Sequence, residues 1–308
     1  MPEGPAGGSE TRPALIAGVA CYTIWGLLPL LYLLSTRLGI DAFEMTAHRA
    51  LWAVLWAGVL VLLAGQAKQV GRVLRSPKTV ALLATTGVLI GVNWLIYVWA
   101  ISHGRTLEGS LGYYINPLMN IAAGALIFRE KIDRWSGLAI ALAAVGVIVQ
   151  TAALGHPPWI SLALAGLFCT YGILRKRVNA DAQTGLFVEC LILTVPGLAW
   201  VLWLETSGAG HFRDSATIAA VLLSNGPATV APLALFAWAA RRLPLSTVGF
   251  LQYIGPTLTF FIGLWAGEAF TPLRAISFAF IWAGVAVFAY GVWRRSRPAA
   301  PELVQEPV

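Results

Sequence analysis

Charge is what this sequence has least of. Its 308 residues include 21 Lys or Arg and 14 Asp or Glu, against 58% hydrophobic residues. So few polar side chains cannot cover a soluble domain, and a mean hydropathy of +0.73 places the chain in lipid. Histidine is also sparse, at 4 residues. With no clustered acids inside any span, neither a metal centre nor an embedded enzyme is expected. The three cysteines, Cys21, Cys169 and Cys190, are odd in number, lie in apolar runs and lack metal-ligand spacing, so they read as small core residues. No phosphate-cradling glycine loop stands next to a lysine, which argues against ATP drive, and no cofactor is expected. A ring of repeated polar residues, as a channel filter would need, is missing as well. The net charge of +7 lies in short clusters between apolar runs rather than along one polar face, against a nucleic-acid partner.

What is present is a succession of apolar runs long enough to cross about 30 Å of hydrocarbon as helices. Ten are expected: Ala14 to Ser35, Phe43 to Ala64, Val80 to Ile101, Leu107 to Phe128, Ile132 to Thr151, Trp159 to Leu174, Thr184 to Leu204, Ala216 to Ala240, Pro244 to Gly267 and Pro272 to Trp293. Their continuous apolarity excludes a membrane barrel, whose strands alternate with period two. The first run follows Arg12 as a signal peptide would, yet it is too long and has no small-x-small cleavage site. The fold class expected is an all-α integral membrane protein. Connections are short, and the tails at 1–13 and 294–308 are short and rich in Pro, Gly or charge, which leaves little for a receptor or scaffold.

The basic residues give an orientation. With connections assigned alternately to two faces, one face receives 16 of the 21 Lys and Arg, and the other only Arg37, Arg49, Arg105, Arg213 and Arg274. By the positive-inside rule both termini are cytoplasmic.

The two halves also resemble each other. A shift of 139 residues sets Gly87 on Gly226, Trp99 on Trp238, Tyr114 on Tyr253, Pro117 on Pro256 and Gly124 on Gly263. Dropping one residue then sets Glu130 on Glu268 and Gly146 on Gly284, and a shift of 140 sets Asp41 on Asp181 and Arg49 opposite Glu189. Five spans per repeat is odd, so the second copy, 159–293, enters the membrane from the face opposite to the first, 14–151. Inverted repeats of this kind are the architecture of secondary transporters, with a site near the midplane.

Polar residues inside the spans nominate that site, since an ionisable group at a helix centre costs about 2.5–3.5 kcal/mol on insertion scales. Arg49 lies inside the second span as a candidate anchor for a carboxylate or similar anion, with His48 beside it. Glu189, Glu108 and Glu44 are candidates for proton coupling, with snorkelling or a structural ion pair as the alternative reading. In the fourth span Gly109, Tyr113, Asn116, Asn120 and Gly124 recur at helical spacing and share a face. Asn93 and Tyr97 share a face of the third span, and Gln252 and Tyr253 stand in the ninth. Pro117 and Pro256 each remove a backbone donor near mid-membrane, so each helix is expected to kink there and serve as a hinge. Glu130 and Glu268 read as caps on neighbouring helices, or as partners of Arg134 and Arg274, rather than as gating groups.

WGLLP (25–29), AHR (47–49), NWLIYVWA (93–100), EGSLGYYINP (108–117), YGILRKR (171–177) and LPLSTVGFLQYIGPT (243–257) together resemble the RarD branch of the EamA-domain drug/metabolite transporters. The resemblance runs from about Ala14 to Trp293. It implies a ten-helix plasma-membrane permease built from two EamA units and moving small metabolites or drugs. The family's polar positions would fall on Glu44, His48, Arg49, Asn93, Glu108, Asn116, Glu130, Glu189, Gln252 and Glu268. Two departures are Asn225-Gly226-Pro227 in the eighth span, implying an added kink, and Gly109 in place of the usual alanine, of little expected consequence. The function expected is secondary-active transport of a small solute, the alternative being a non-transporting sensor or channel-like protein. Expected partners are a small-molecule substrate, the lipid bilayer and a second copy of the chain.

Overall fold

The structure, a computed structural model, describes residues 8–129 and 132–295. Most of both tails, and Glu130 with Lys131, lie outside the described residues. Every described element is a helix. In chain order they are α1 (Gly8–Arg37), α2 (Ala42–Leu63), α3 (Ala67–Leu74), α4 (Pro77–Ser102), α5 (Thr106–Phe128) and α6 (Arg134–Leu154). The second half comprises α7 (Trp159–Arg175), α8 (Ala182–Ser207), α9 (Ala216–Ala240), α10 (Leu245–Leu251), α11 (Ile254–Trp265) and α12 (Pro272–Arg295). Among the described residues, 8 spans are long and apolar enough to cross a membrane. The other two helices of the ten are α5, at 23 residues, and α7, at 17.

Capping explains where several helices start. The Asp41 carboxylate accepts from the N–H groups of Phe43 and Glu44, and Asp133 does the same for Trp135 and Ser136. The start of α5 is capped from a distance. Glu268, in the connection after α11, accepts hydrogen bonds from the N–H groups of Thr106 and Leu107, the latter at 2.9 Å. Its negative charge at the positive end of a helix is well placed. Glu268 is thus a cap, and Arg274 instead donates to the Ala269 carbonyl.

Two local features were not expressed in the run lengths. The connection between the second and third spans contains the short helix α3. The ninth span is two helices: α10 ends at Leu251 and α11 begins at Ile254, with Gln252 and Tyr253 between. Pro256 has no N–H to donate to the Gln252 carbonyl, and the glycine before it lowers the cost of leaving the helix. Pro117, preceded by Asn116, lies inside an uninterrupted α5, and Pro227 and Pro232 lie inside an uninterrupted α9. A local loosening of the helical ladder therefore occurs at one of the two repeat-related prolines, with Gln252 and Tyr253 still in the right-handed helical region.

The packing of the halves carries the inverted symmetry. Exchanging each span with the one five positions away leaves α2/α8, α6/α12 and α5/α11 paired with themselves. It converts α4/α7 into α9/α1, α5/α7 into α11/α1 and α2/α9 into α8/α4, and all of these pairs are in contact. At α6/α12 the correspondence reaches single atoms. A Cβ on Gly146 would lie 3.0 Å from the Ser277 carbonyl oxygen, and one on Gly284 would lie 2.9 Å from that of Ala139. Ala139 and Ser277 are related by the same 138-residue shift as the two glycines. Small residues bring backbones together where lipid offers no hydrophobic drive between helices.

Candidate functional site

The face at which α1 begins and α12 ends is the terminal face. Arg49 stands seven residues into α2, about 10 Å along its axis from the opposite face at 1.5 Å per residue. It is 5% exposed. Its Nε donates to Thr229 Oγ1 of α9 at 3.0 Å and its Nη1 to the Tyr32 hydroxyl of α1 at 2.8 Å. The guanidinium carbon sits 4.1 Å from the centroid of the Trp94 ring of α4. Among the described residues the ion pairs are Arg105–Glu108, Arg175–Glu189, His211–Glu44 and Arg213–Glu205. Arg49 is in none of them. A buried cation held by hydroxyls and an indole face, without a carboxylate, retains the capacity to pair with an anion.

Aromatic and amide groups extend this cluster. Tyr97 meets Tyr32 and Tyr113 edge-on, with ring centroids at 6.2 and 5.2 Å, and its hydroxyl pairs with Thr259 Oγ1 of α11 at 3.1 Å. The Tyr113 hydroxyl donates to Asn93 Oδ1 at 3.2 Å, and Asn93 Nδ2 donates to the Leu164 carbonyl of α7 at 2.9 Å. Helices α1, α2, α4, α5, α7, α9 and α11 thus all contribute to one polar centre. Gly109 seats it, since a Cβ there would lie 3.1 Å from the Tyr97 ring. An alanine there would require Tyr97 to give by a few tenths of an ångström.

The other nominated residues fall elsewhere. Gln252, Tyr253 and Pro117, with Asn120, Tyr22 and Phe236, line a cavity of about 710 Å³ in the half nearer the terminal face. Asn116, beside Pro117, is buried with its Oδ1 unpartnered among the described residues, as is the Tyr253 hydroxyl. His48 turns away from Arg49 and packs in a three-ring cluster with Phe212 and Trp52, at 5.1 and 6.2 Å, while those two rings lie 5.8 Å apart. Trp52 Nε1 donates to its Nδ1 at 3.0 Å, leaving Nε2 without a partner among the described residues. Glu108 takes both oxygens to Arg105, at 2.7 and 3.0 Å, near the opposite face.

Glu189 is fully buried in α8. Its oxygens accept from Thr86 Oγ1 at 2.6 Å and the Tyr171 hydroxyl at 3.2 Å, with Arg175 Nε at 3.5 Å. Tyr171 is the 139-residue mate of Tyr32, so in each half a tyrosine of the first span holds the charge of the second. One half places arginine there and the other glutamate. That tyrosine pair is a readable signal, whereas Thr229 and Arg175 carry none that separates them from other hydroxyls and helix-end cations.

Glu44 is buried at the start of α2 and accepts from the backbone N–H of His211 at 2.8 Å, while His211 Nδ1 lies 2.7 Å from its other oxygen. His211 lies outside the spans, in the connection from α8 to α9. The hydrogen bond to Glu44 raises its pKa above the usual 6.5, burial opposes, and the fields of Glu44, Asp214 and Asp41 add to the rise. A raised imidazole value means the pair stabilises fully below about pH 6.5 and fades as pH climbs through the folded-state value. Thermal unfolding of the parent and His211→Gln is therefore expected to differ by a few degrees at about pH 6 and to converge by about pH 9. A pH-independent difference would remove the ion pair from the account.

Ten apolar helices in two inverted sets, around a buried polar centre and a cavity on one side, define a multi-pass membrane transporter. Residues 12–152 match the family described as EamA-like transporter family. An uncharacterized transporter of Pseudomonas aeruginosa is 40% identical over 291 residues, spanning 94% of this chain and 97% of that one. Protein RarD of Escherichia coli (strain K12) is 37% identical over 281 residues, 91% and 94% of the two chains. A solved structure described as "Crystal structure of protein" superposes with a TM-score of 0.60 over 93% of this chain and 99% of that one, at 19% identity. The chain belongs to the RarD branch of the EamA-like transporter family.

Proposed function

We propose that this transporter is a secondary-active permease of the plasma membrane that carries a small anionic metabolite or drug-like solute, using Arg49 as the anchor for the solute's acidic group. The observation that carries the reading is Arg49 itself, buried beside Trp94 and Tyr32 with no carboxylate partner among the described residues. Asn93, Tyr97 and Tyr113 supply neighbouring polar and aromatic contacts, and Gln252 and Tyr253 line the route from the terminal face, with Asn116 buried beside the lining residue Pro117; the distribution of basic residues supports a cytoplasmic assignment for that face. His48 serves as packing behind the anchor.

Residues 159–293 act as a second EamA-like unit, which the reciprocal glycine contacts of α6 and α12 support. Exchange of conformations between the two units would open the site to each face in turn. The cavity in the terminal half, with Glu44–His211 and Arg105–Glu108 pairs joined nearer the opposite face, is what an inward-open state requires. The interruption at Gln252–Tyr253 is the hinge best supported, with Pro117 as its mate. Glu189 is the candidate for proton coupling, being fully buried at the depth in its span that Arg49 has in the other half. Glu108 and Glu44 serve instead as structural ion pairs near the opposite face.

The test is counterflow in proteoliposomes with a mixed metabolite pool read by mass spectrometry, at two imposed pH gradients. Compounds bearing a carboxylate or phosphate are expected to accumulate, and cations to be left behind. Accumulation no faster than in protein-free liposomes would sink the reading, and accumulation of cations alone would remove Arg49 as the anchor.

A further inference from the structure

We propose that the groove between the start of α6 and the end of α12 binds an anionic phospholipid, taking the headgroup phosphate between Arg134 and Arg294. The groove encloses about 490 Å³ and is lined by Arg134, Trp135, Leu138, Tyr290 and Arg294. The two guanidinium carbons stand 5.0 and 6.0 Å from the centroid of one ring, that of Trp135. Neither arginine is ion-paired among the described residues. The indole face offsets part of the repulsion between two cations, and a phosphate between them supplies the rest. Asp133 caps the helix start: its Oδ1 accepts from the N–H of Trp135 and Ser136, and its Oδ2 from the Ser136 hydroxyl at 2.6 Å.

The walls of the groove are held firmly. A Cβ on Gly291 would come 2.7 Å from the Trp135 Cβ, so this glycine lets the indole seat against α12. Tyr290 closes on the same ring edge-on at 4.9 Å. Arg134 is the first residue of α6, which places it at the depth of the headgroups. Below it Leu138, Ala141, Val145 and Ile148 follow at helical spacing, all exposed, as a track for an acyl chain. Two cations disfavour a choline headgroup, so the site selects a net negative lipid over a zwitterionic one. The inverted symmetry does not require the feature: the 138-residue shift puts Pro272 and Leu273 opposite Arg134 and Trp135, and Ala152 and His156 opposite Tyr290 and Arg294. It belongs to the terminal face alone and stands apart from whatever the central site carries.

The experiment is native mass spectrometry of the full chain in detergent, with phosphatidylglycerol and phosphatidylcholine supplied in equal amounts. Phosphatidylglycerol is expected to be retained about 25-fold better, with roughly fivefold of that lost per arginine in Arg134→Gln and Arg294→Gln. The double lysine variant keeps most of the preference because it keeps the charge. Both positions are exposed, and melting curves without lipid check that the variants fold. Excess inorganic phosphate is expected to leave the lipid bound, since the acyl chain contributes along Leu138 and Val145. Equal retention of the two lipids, an unchanged preference in the double glutamine variant, or displacement by phosphate alone would each overturn the proposal, the last in favour of a free-phosphate site.

Discussion

Arg49→Ala is expected to lower counterflow by about 100-fold, the loss of one charge-assisted contact to the solute worth about 3 kcal/mol. The same substitution is expected to leave the melting temperature unchanged or slightly higher. An arginine inside a span without an acid costs about 2.5–3.5 kcal/mol on insertion scales, and alanine removes that cost. The two readouts separate the roles. A structural arginine would lose stability and activity together, whereas a solute anchor loses activity alone. Arg49→Lys keeps the charge but gives up the bidentate fork and the stacking on Trp94, so about a tenfold loss is expected. Flat counterflow rates across the three proteins would end the case for Arg49.

Gly226→Val carries the largest expected structural effect. A Cβ at Gly226 would lie 2.8 Å from the Trp52 carbonyl oxygen and 2.7 Å from the Trp56 ring. The oxygen belongs to backbone, so α2 and α9 must separate, at an expected destabilisation of about 2–4 kcal/mol. Thr229, one turn further along α9, holds Arg49 at 3.0 Å, so the site opens with the interface. Gly166→Ala in α7 is the control, because a Cβ there meets nothing within 4 Å. Thermal unfolding of solubilised protein reads both variants. Equal melting temperatures would show that the α2/α9 contact is looser than its geometry.

These two residues also show how legibility was divided. Arg49 was visible because an arginine among apolar residues is costly wherever the helix sits, so the residue type carried the signal. Gly226 was visible as a repeat position, yet one glycine among 31 says nothing about what it touches. Trp52 as its neighbour depends on how α2 crosses α9. The same holds for Glu44 and His211, which are 167 residues apart in the chain and joined only when the connection after α8 folds back over α2. Glu268 was read as a cap or a partner of Arg274, and tertiary packing selected the cap.

The grouping of nominated residues was the least legible feature. Arg49, Asn93, Tyr97 and Tyr113 converge, whereas Gln252 and Tyr253 face a separate cavity and His48 turns to Phe212. Helical periodicity assigns a residue to a face of its own helix and is silent on the rotation of that helix in the bundle. Neighbouring residues such as His48 and Arg49 differ by about 100° around the axis, enough to put them in different environments.

By itself the sequence determined that this is a ten-span helical membrane protein in two inverted halves. Run length, continuous apolarity and the spacing of repeats are properties of the chain alone, and no soluble or barrel fold satisfies them. Only the tertiary structure decided that Arg49 has no carboxylate partner among the described residues, that the ladder loosens before Pro256 while α5 runs through Pro117, and that Arg134 and Arg294 share one indole. Each depends on which helix lies across from which. That choice is made by close backbone approach at a few glycines and by the pairing of buried polar groups, which the lipid cannot satisfy.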